Sequence, residues 1–582
     1  MRVARLVGNV RLAASAAVVH LSDDPVLLVL QISRRMPARL VRRIAGTAGR
    51  LAAVPGVNLP VAEALSAQLL GRISLLRSVL TRSSTAPVTA GVARRLADIA
   101  LAAGMTDEAD ALLGLAGPGS ATAGVRARRL WYDGDMSGAV HILRQAGRTR
   151  HAERLAGEVR VFEGWHPTLR AVEGYLPEED TVLHLLTNSL PHTGSGYAQR
   201  THSLLKAQSE NGWTVHAATR VGYPVQVGKL LARAVDELDG VNYHRLLPVP
   251  MARGFDRRIQ QQAEELLRLA LEIKPAVLHT TTPFVNGIVT EQVARALGIP
   301  WVYEARGQLA DTWAANRPAR VKTSERYKLF TDREAQVMRK ASLVVTLGEA
   351  MKRGIMRSGV PQDRILLSPN GVGEEFLDEP VSAPAARELV GLPREGVFVG
   401  TVSSLVDYEG LDTLLRAVAL LAPTHPELRC LIVGDGSAAP ALRSLAEELK
   451  ITSRVIFTGR VPRHDARTFH QALDVFVVPR RDLEVTNAVT PLKPVEAMAC
   501  SRPVIASDLP ALREIITHGV TGLLVDPEDP VALAAAIQHF LGREVERVNV
   551  GIRGREVVLA TRTWARNASL LSDAYKELEL SS

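Results

Sequence analysis

Val489–Ala499 reads V-T-P-L-K-P-V-E-A-M-A, with Lys493 and Glu496 three positions apart at the mouth of a short apolar helix. A helix start presents unpaired N–H groups and the positive end of its dipole to an anion. Lys493 would add a mobile positive charge for a phosphate. Glu496 could accept hydrogen bonds from sugar or ribose hydroxyls. Thr490-Pro491 and Pro494 fit that placement, because proline is tolerated before a helix or in its first turn. The segment therefore reads as a site for a nucleotide-sugar diphosphate.

Other residues stand where strands pass into loops. Gly194-Ser195-Gly196 lies between a predicted strand and a predicted helix, where backbone N–H groups can approach a phosphate or an acceptor; a plain turn is the alternative. Gly434-Asp435-Gly436 reads as the tight turn after a strand. His279 ends one predicted strand, and Glu304 and Arg306 end the next. These three are the candidate catalytic residues; a satisfied structural histidine and an internal salt bridge are the alternatives. No D-x-D-like pair follows a strand in the second half of the chain, so no metal site is expected. Charge on a leaving diphosphate would instead be met by Lys493, arginines and helix-end N–H groups acting as preorganised electrostatics.

The elements that must position these residues fall into distinct textures. Residues 1–175 read as helical and rich in Ala, Leu and Arg. Arg94–Gly104 has apolar residues at helical spacing and a glycine stop, and Leu130–Leu143 resembles one tetratricopeptide-like helix pair with Gly134 and Asp135 in the turn. From Thr181 strands alternate with helices: Val182–Leu186, Thr214–Thr219, Ala276–His279, Trp301–Tyr303 and Leu343–Thr346. A second set begins after Pro369-Asn370-Gly371: Val397–Val402, Arg429–Val433, Val455–Thr458, Val475–Val478, Pro503–Ala506 and Gly522–Val525. This rhythm predicts an α/β protein of two doubly wound, Rossmann-like domains facing a cleft, plus an all-helical N-terminal domain. The expected divisions are 1–175, 176–375, 376–545 and a tail of helices, 546–582, that packs back across the domains.

Composition narrows the class. At 582 residues the chain is too long for one core, and 46% hydrophobic with 23% charged residues is ordinary for a globular protein. The net charge is +9, and Met1–Arg50 holds nine arginines against Asp23 and Asp24. That arm could dock on an anionic membrane surface or simply solubilise a helical face. Nucleic acid is not expected, because no basic patch interleaved with aromatics appears. Cys430 and Cys500 suit neither a disulfide framework nor a metal spacing, and read as core residues in a reducing compartment. No apolar run reaches the ~18 residues that a span needs. A cytoplasmic protein, peripheral at most to the inner membrane face, is expected.

In its second part, over about Thr181–Lys576, the chain resembles the retaining glycosyltransferases of GT-B fold, group 1 / family 4 type. The residues that carry the likeness fall in the family's order: T-N-S-L-P-H-T-G-S-G-Y (187–197), V-L-H-T-T-T-P (277–283), G-I-P-W-V-Y-E-A-R-G (298–307), S-L-V-V-T-L-G-E-A-M (342–351), P-N-G-V (369–372), Y-E-G-L-D-T-L-L-R-A (408–417), L-I-V-G-D-G (431–436), F-T-G-R-V-P (457–462) and the segment described first. The resemblance implies a UDP- or GDP-sugar donor, no further cofactor, a glycan or lipid-linked acceptor, and Arg460-Val461 in the base-contacting loop.

Departures from the family pattern shift weight within the site. Many relatives place an Arg and a Lys after the first strand of the donor domain, where this chain has Ser404 and Glu409. Many also carry two glutamates with seven residues between; here Ala488 occupies the first slot and Glu496 the second. Arg480 and Arg481, after Val475–Val478, could compensate, since arginine forks suit phosphate bidentately; a solvated loop is the alternative. Two other readings stay open: a degenerate transferase serving as a scaffold, and a sugar-nucleotide epimerase.

Overall fold

The computed structural model describes residues 6–15, 41, 43, 45–46, 59–315 and 317–580. Most of the arginine-rich arm, and so its expected docking role, lies outside the described residues. Between Pro60 and Gln145 the chain forms three successive helix pairs: Pro60–Leu69 with Ile73–Thr85, Ala90–Ala102 with Thr106–Ala116, and Ala123–Asp133 with Met136–Gln145. Helix Thr149–Phe162 follows. In the third pair Asp135 caps the second helix, its carboxylate accepting from the Gly138 N–H at 2.8 Å. One such pair was legible in the sequence. Of the others only the helix over Arg94–Gly104 was legible, as a single helix; they pack through small residues such as Ala93, Ala97, Ala100 and Ala109, whose weak contrast with a solvent face hides the pairing.

This helical region is joined to the body by packing and by charge. Met136, Val140 and Phe162 belong to the core of the first α/β domain, with Phe162 edge-on to Phe284 at 5.2 Å. Glu325 of that domain accepts from the N–H groups of Met136 and Ser137 at 2.7 and 2.8 Å, capping the helix from outside.

The first sheet contains β1 (Glu178–Leu186), β2 (Thr214–Thr219), β3 (Val235–Leu238), β4 (Val241–Arg245), β5 (Pro275–Thr281), β6 (Trp301–Ala305), β7 (Leu343–Thr346) and β8 (Ile365–Leu367), in the order β3-β4-β2-β1-β5-β6-β7-β8. Its pairs are parallel except β3 with β4. The central strands are continuous apolar runs because helices cover both faces. The β3–β4 hairpin and β8 had no counterpart in the sequence reading: they are short, and β3 is polar.

The second sheet is wholly parallel: β9 (Val397–Val402), β10 (Leu428–Val433), β11 (Val455–Gly459), β12 (Val475–Val478), β13 (Val504–Ser507) and β14 (Gly522–Val525), in the order β11-β10-β9-β12-β13-β14. Strand order reverses beside β1 in one sheet and beside β9 in the other, which opens a crevice at the strand C-termini of each. The doubly wound α/β architecture and the helical N-terminal region follow the sequence expectation.

The tail links the halves. Helix Pro530–Leu541 packs on Leu411–Leu421, and Glu544–Thr561 packs on Lys493–Ala499. Helix Trp564–Leu580 returns to Gly196–Glu210 of the first domain, and its Leu571 and Tyr575 enter that domain's core. The two crossings lie side by side: Val372 N–H donates to the Arg562 carbonyl at 2.9 Å, and Trp564 N–H to the Val372 carbonyl at 3.1 Å. Cys430 and Cys500 are buried and unbridged. Among the described residues no helix is long and apolar enough to cross a membrane.

Candidate active site

Two loops of the second sheet meet at its crevice. The loop after β9 carries Ser404 and Glu409, and the loop after β12 carries Arg480 and Arg481. Gly410 makes the contact possible: it is left-handed at φ 66°, and a β-carbon there would lie 1.9 Å from the Pro479 carbonyl oxygen. Gly434, at φ 130°, likewise passes too close to the Ser403 carbonyl for any side chain. The turn reading of Gly434-Asp435-Gly436 thus has a physical basis.

Glu409 organises this crevice. It is 3% exposed and takes a forked contact from Arg480, at 3.1 and 3.2 Å. Lys493 reaches the same carboxylate at 2.7 Å. Burial alone would raise the Glu409 pKa, yet the two cations bring it down to about 2. Arg480 also donates to the Val489 carbonyl at 3.1 Å. Arg480 and Lys493 thus converge on one internal anion.

The remaining residues of this half divide. Arg481 turns away from Arg480 and donates to Asp412 at 3.0 Å and to Glu528 at 3.1 Å. Glu496 lies 3.4 Å from His470 Nε2; burial opposes its charge, but His470, Arg463 and Lys493 hold its carboxyl below the usual range. His470 is 1% exposed and had no signal in the sequence, because its helix, Arg463–Ala472, carries no recognisable motif. Thr490 is buried, and its hydroxyl has no partner. Ser404 and Arg460 are exposed, and Val461 is half-buried. Arg460 follows the edge strand β11, two strands from β9.

In the first domain, Ser195 caps helix Gly196–Glu210, accepting from the Ala198 N–H at 3.3 Å. Gly196 has open space around it, and a β-carbon at Gly194 would meet only Gln199 Nε2, at 3.9 Å. A cavity of about 170 Å³ lies here, lined by Tyr197, Thr201, Thr282 and Arg306 among others. The three candidate catalytic residues separate at this wall. Arg306 lines the cavity and donates to Thr201 at 2.5 Å.

His279 and Glu304 are both 0% exposed and sit behind the wall, the arrangement of the structural-histidine and salt-bridge alternatives. Glu304 is paired with Arg306 and with Arg200, the latter at 2.7 Å. Burial would raise its pKa, but the two guanidinium groups hold it well below the carboxylate range. His279 stacks on His184 at 4.6 Å, shares a hydrogen bond with Tyr575, and is pushed down in pKa by burial. Glu304 thus holds Arg306 by charge from behind the wall.

Arg200, which the sequence reading passed over, ties the halves together. It donates to the carbonyls of Ser368 and Pro369 at 2.7 and 3.2 Å and to Asn370 Oδ1 at 3.0 Å. It also lies over the Trp564 ring at 5.2 Å. Asn370 in turn donates to the Thr490 carbonyl at 2.8 Å, reaching the second domain. Only the P-N-G-V motif hinted at this connection. Across the same cleft Glu514 accepts from the N–H groups of Glu349 and Ala350 at 2.8 and 2.6 Å. Among the described residues no group of three His, Cys, Asp or Glu could hold a metal ion.

Comparisons with known proteins agree with this geometry. Residues 384–557 match the model of glycosyl transferases group 1, and residues 195–371 that of a glycosyl transferase 4-like domain. A D-inositol 3-phosphate glycosyltransferase of Thermobispora bispora is 31% identical over 37% of this chain and 51% of its own length. A GDP-mannose-dependent alpha-(1-6)-phosphatidylinositol monomannoside mannosyltransferase of Mycolicibacterium smegmatis is 33% identical over 35% of this chain and 55% of its own. The chain thus spans about half the length of the curated relatives it matches. Among solved structures, sucrose-phosphate synthase from Thermosynechococcus elongatus shares the fold with a TM-score of 0.58 at 23% identity, covering 69% of this chain and all of that one. With each α/β domain matching its half of the family and the two sheets facing one cleft, the chain belongs to the group 1, family 4 type glycosyltransferases of GT-B fold.

Proposed function

We propose that the chain transfers a sugar, with retention and without a metal ion, from a UDP- or GDP-sugar to a glycan or lipid-linked acceptor of the cell surface. The observation that carries this reading is the convergence of Arg480 and Lys493 at the β9/β12 crevice, beside Glu496. A diphosphate entering there competes with Glu409 for both cations. Glu496, kept ionised, accepts from ribose or sugar hydroxyls. Developing charge on the leaving diphosphate is met by fixed cations in a site that domain closure dries. Arg306 and Tyr197 face the acceptor across the cleft, and the arginine-rich arm holds the enzyme near anionic lipid.

Calorimetric titration with UDP and GDP, on wild type and Lys493→Ala, tests the reading. Saturable binding that Lys493→Ala weakens is expected. Protein that binds neither nucleotide, with Lys493→Ala unchanged in any transfer assay, sinks it. The anomeric configuration of the product by NMR and activity in chelator test retention and metal independence. Glu409 favours a second reading, a scaffold whose phosphate site is closed by its own carboxylate. Tight nucleotide binding by the wild type would exclude it.

A further inference from the structure

A second cavity, of about 250 Å³, adjoins the one that Arg306 lines. The two share Thr187 and Pro283, so the loops after β1 and β5 form a common wall. The polar lining of the second cavity is rich in donors: the guanidinium groups of Arg220 and Arg258 and the amides of Gln226 and Gln262. No Asp or Glu lines it. Gln262 is 5% exposed. Its amide oxygen accepts from the Val221 N–H at 3.3 Å, and its Nε2 has no partner. A buried donor left unmatched is costly, which marks the place of a missing acceptor.

The backbone points the same way. Phe255 and Arg258, in the first turn of the 19-residue helix Phe255–Ile273, line the cavity. That helix has Gly254 at its N-cap, so no N-cap side chain meets its first N–H groups; the Asp256 carboxylate accepts from one of them, Arg257 N–H, at 2.9 Å, and the others at this positive dipole end remain for a ligand. The charge nearby is mixed, and the Asp256 carboxylate at the helix start is engaged by Arg160 at 2.7 Å. Arg154 and Arg258 repel each other, and the Glu158 carboxylate attracts both.

We propose that this cavity is an anion subsite that takes a phosphate group of the acceptor. Arg220 and Arg258 supply the charge, and Gln262 Nε2 supplies the orienting hydrogen bond. A phosphate seated there directs the rest of the acceptor past Thr187 and Pro283 toward Arg306 and the cleft. The word acceptor rests on the transferase reading; the anion binding itself does not.

Inorganic phosphate titrated into the full chain, against chloride at matched ionic strength, tests the subsite. Gln262→Leu removes the donor at nearly constant volume, and Arg258→Gln removes a charge on a half-exposed side chain. Either variant is expected to weaken phosphate binding on the order of tenfold, as loss of one charge-assisted or buried hydrogen bond does. Should Gln262→Leu unfold, Arg258→Gln decides. No saturable phosphate binding, or equal affinity in wild type and folded variants, overturns the subsite.

UDP and GDP titrated in parallel separate the two claims. Nucleotide binding without a variant effect on phosphate defeats the subsite alone; a phosphate effect without nucleotide binding upholds the subsite and defeats the transferase reading. Vesicles containing phosphatidylinositol, against phosphatidylcholine alone, identify the source of the phosphate. Sedimentation with the former, competed by inorganic phosphate and lost in Arg258→Gln, assigns a lipid headgroup. Phosphate binding without sedimentation assigns a soluble phosphorylated acceptor.

Discussion

Lys493 Nζ lies 2.7 Å from Glu409 Oε1, so the lysine read as a phosphate ligand is held by a carboxylate of the loop after β9. Glu409 also takes the Arg480 fork. One buried anion thus sets the position of both cations that would meet a diphosphate.

Removing that anion should separate stability from binding. Glu409→Gln leaves Arg480 and Lys493 without a counterion, and breaking a buried pair in this way costs on the order of 3 kcal/mol. The melting temperature should fall, while nucleoside diphosphate affinity rises about tenfold because the cations are freed. Equal or weaker nucleotide binding in a folded Glu409→Gln protein would show that Glu409 helps to hold the ligand.

Arg480→Lys keeps the charge and removes the fork. Because a bidentate contact is lost on each side, donor affinity should drop about tenfold or more. Arg481→Lys, whose side chain is engaged with Asp412 and Glu528, should change it little. Comparable losses in both variants would mean that Arg481 reaches the donor.

At the crossing between domains, Arg200→Met should be among the most damaging changes. It strips Glu304 of one partner and frees the carbonyls of Ser368 and Pro369. The expected cost is about 3–5 kcal/mol, read as a lower denaturant midpoint. A loss under about 1 kcal/mol would mean that Arg306 alone satisfies Glu304.

Stability should also depend on pH through Glu334. Burial raises its carboxyl to about 7 from an ordinary 4.5, against the opposing hydrogen bonds from Tyr303 and the Phe284 N–H. Between those values the folded chain keeps a proton that the unfolded chain has lost. Stability contributed by this group is therefore complete below about 4.5 and declines as pH rises through 7. Glu334→Gln should flatten that decline, measured as denaturant midpoints at pH 5 and 8. Parallel profiles for the two proteins would rule the group out.

Glu514 caps the helix Glu349–Arg357 from across the cleft. Glu514→Ala should cost about 1 kcal/mol, as lost caps do, and should loosen the approach of the two domains. An increased radius of gyration in small-angle scattering is the expected sign; an unchanged radius would place closure elsewhere.

The sequence by itself determined the β/α alternation, because strands covered on both faces need continuous apolar runs such as Val397–Val402 and Val475–Val478. It also placed the Lys493–Glu496 segment at a strand-to-helix passage, since prolines and glycines restrict the backbone locally. Whatever depends on distant residues was decided by tertiary structure. The pairing of Glu409 with Arg480 and Lys493 spans 71 and 84 positions, and no local spacing announces it. The burial of His279 and Glu304 follows from Arg200 and Tyr575 closing over them from other helices. Local pattern fixes which faces are apolar and where the chain turns; which charges meet, and which are left facing the cleft, is set only when the loops of separate strands are brought to one crevice.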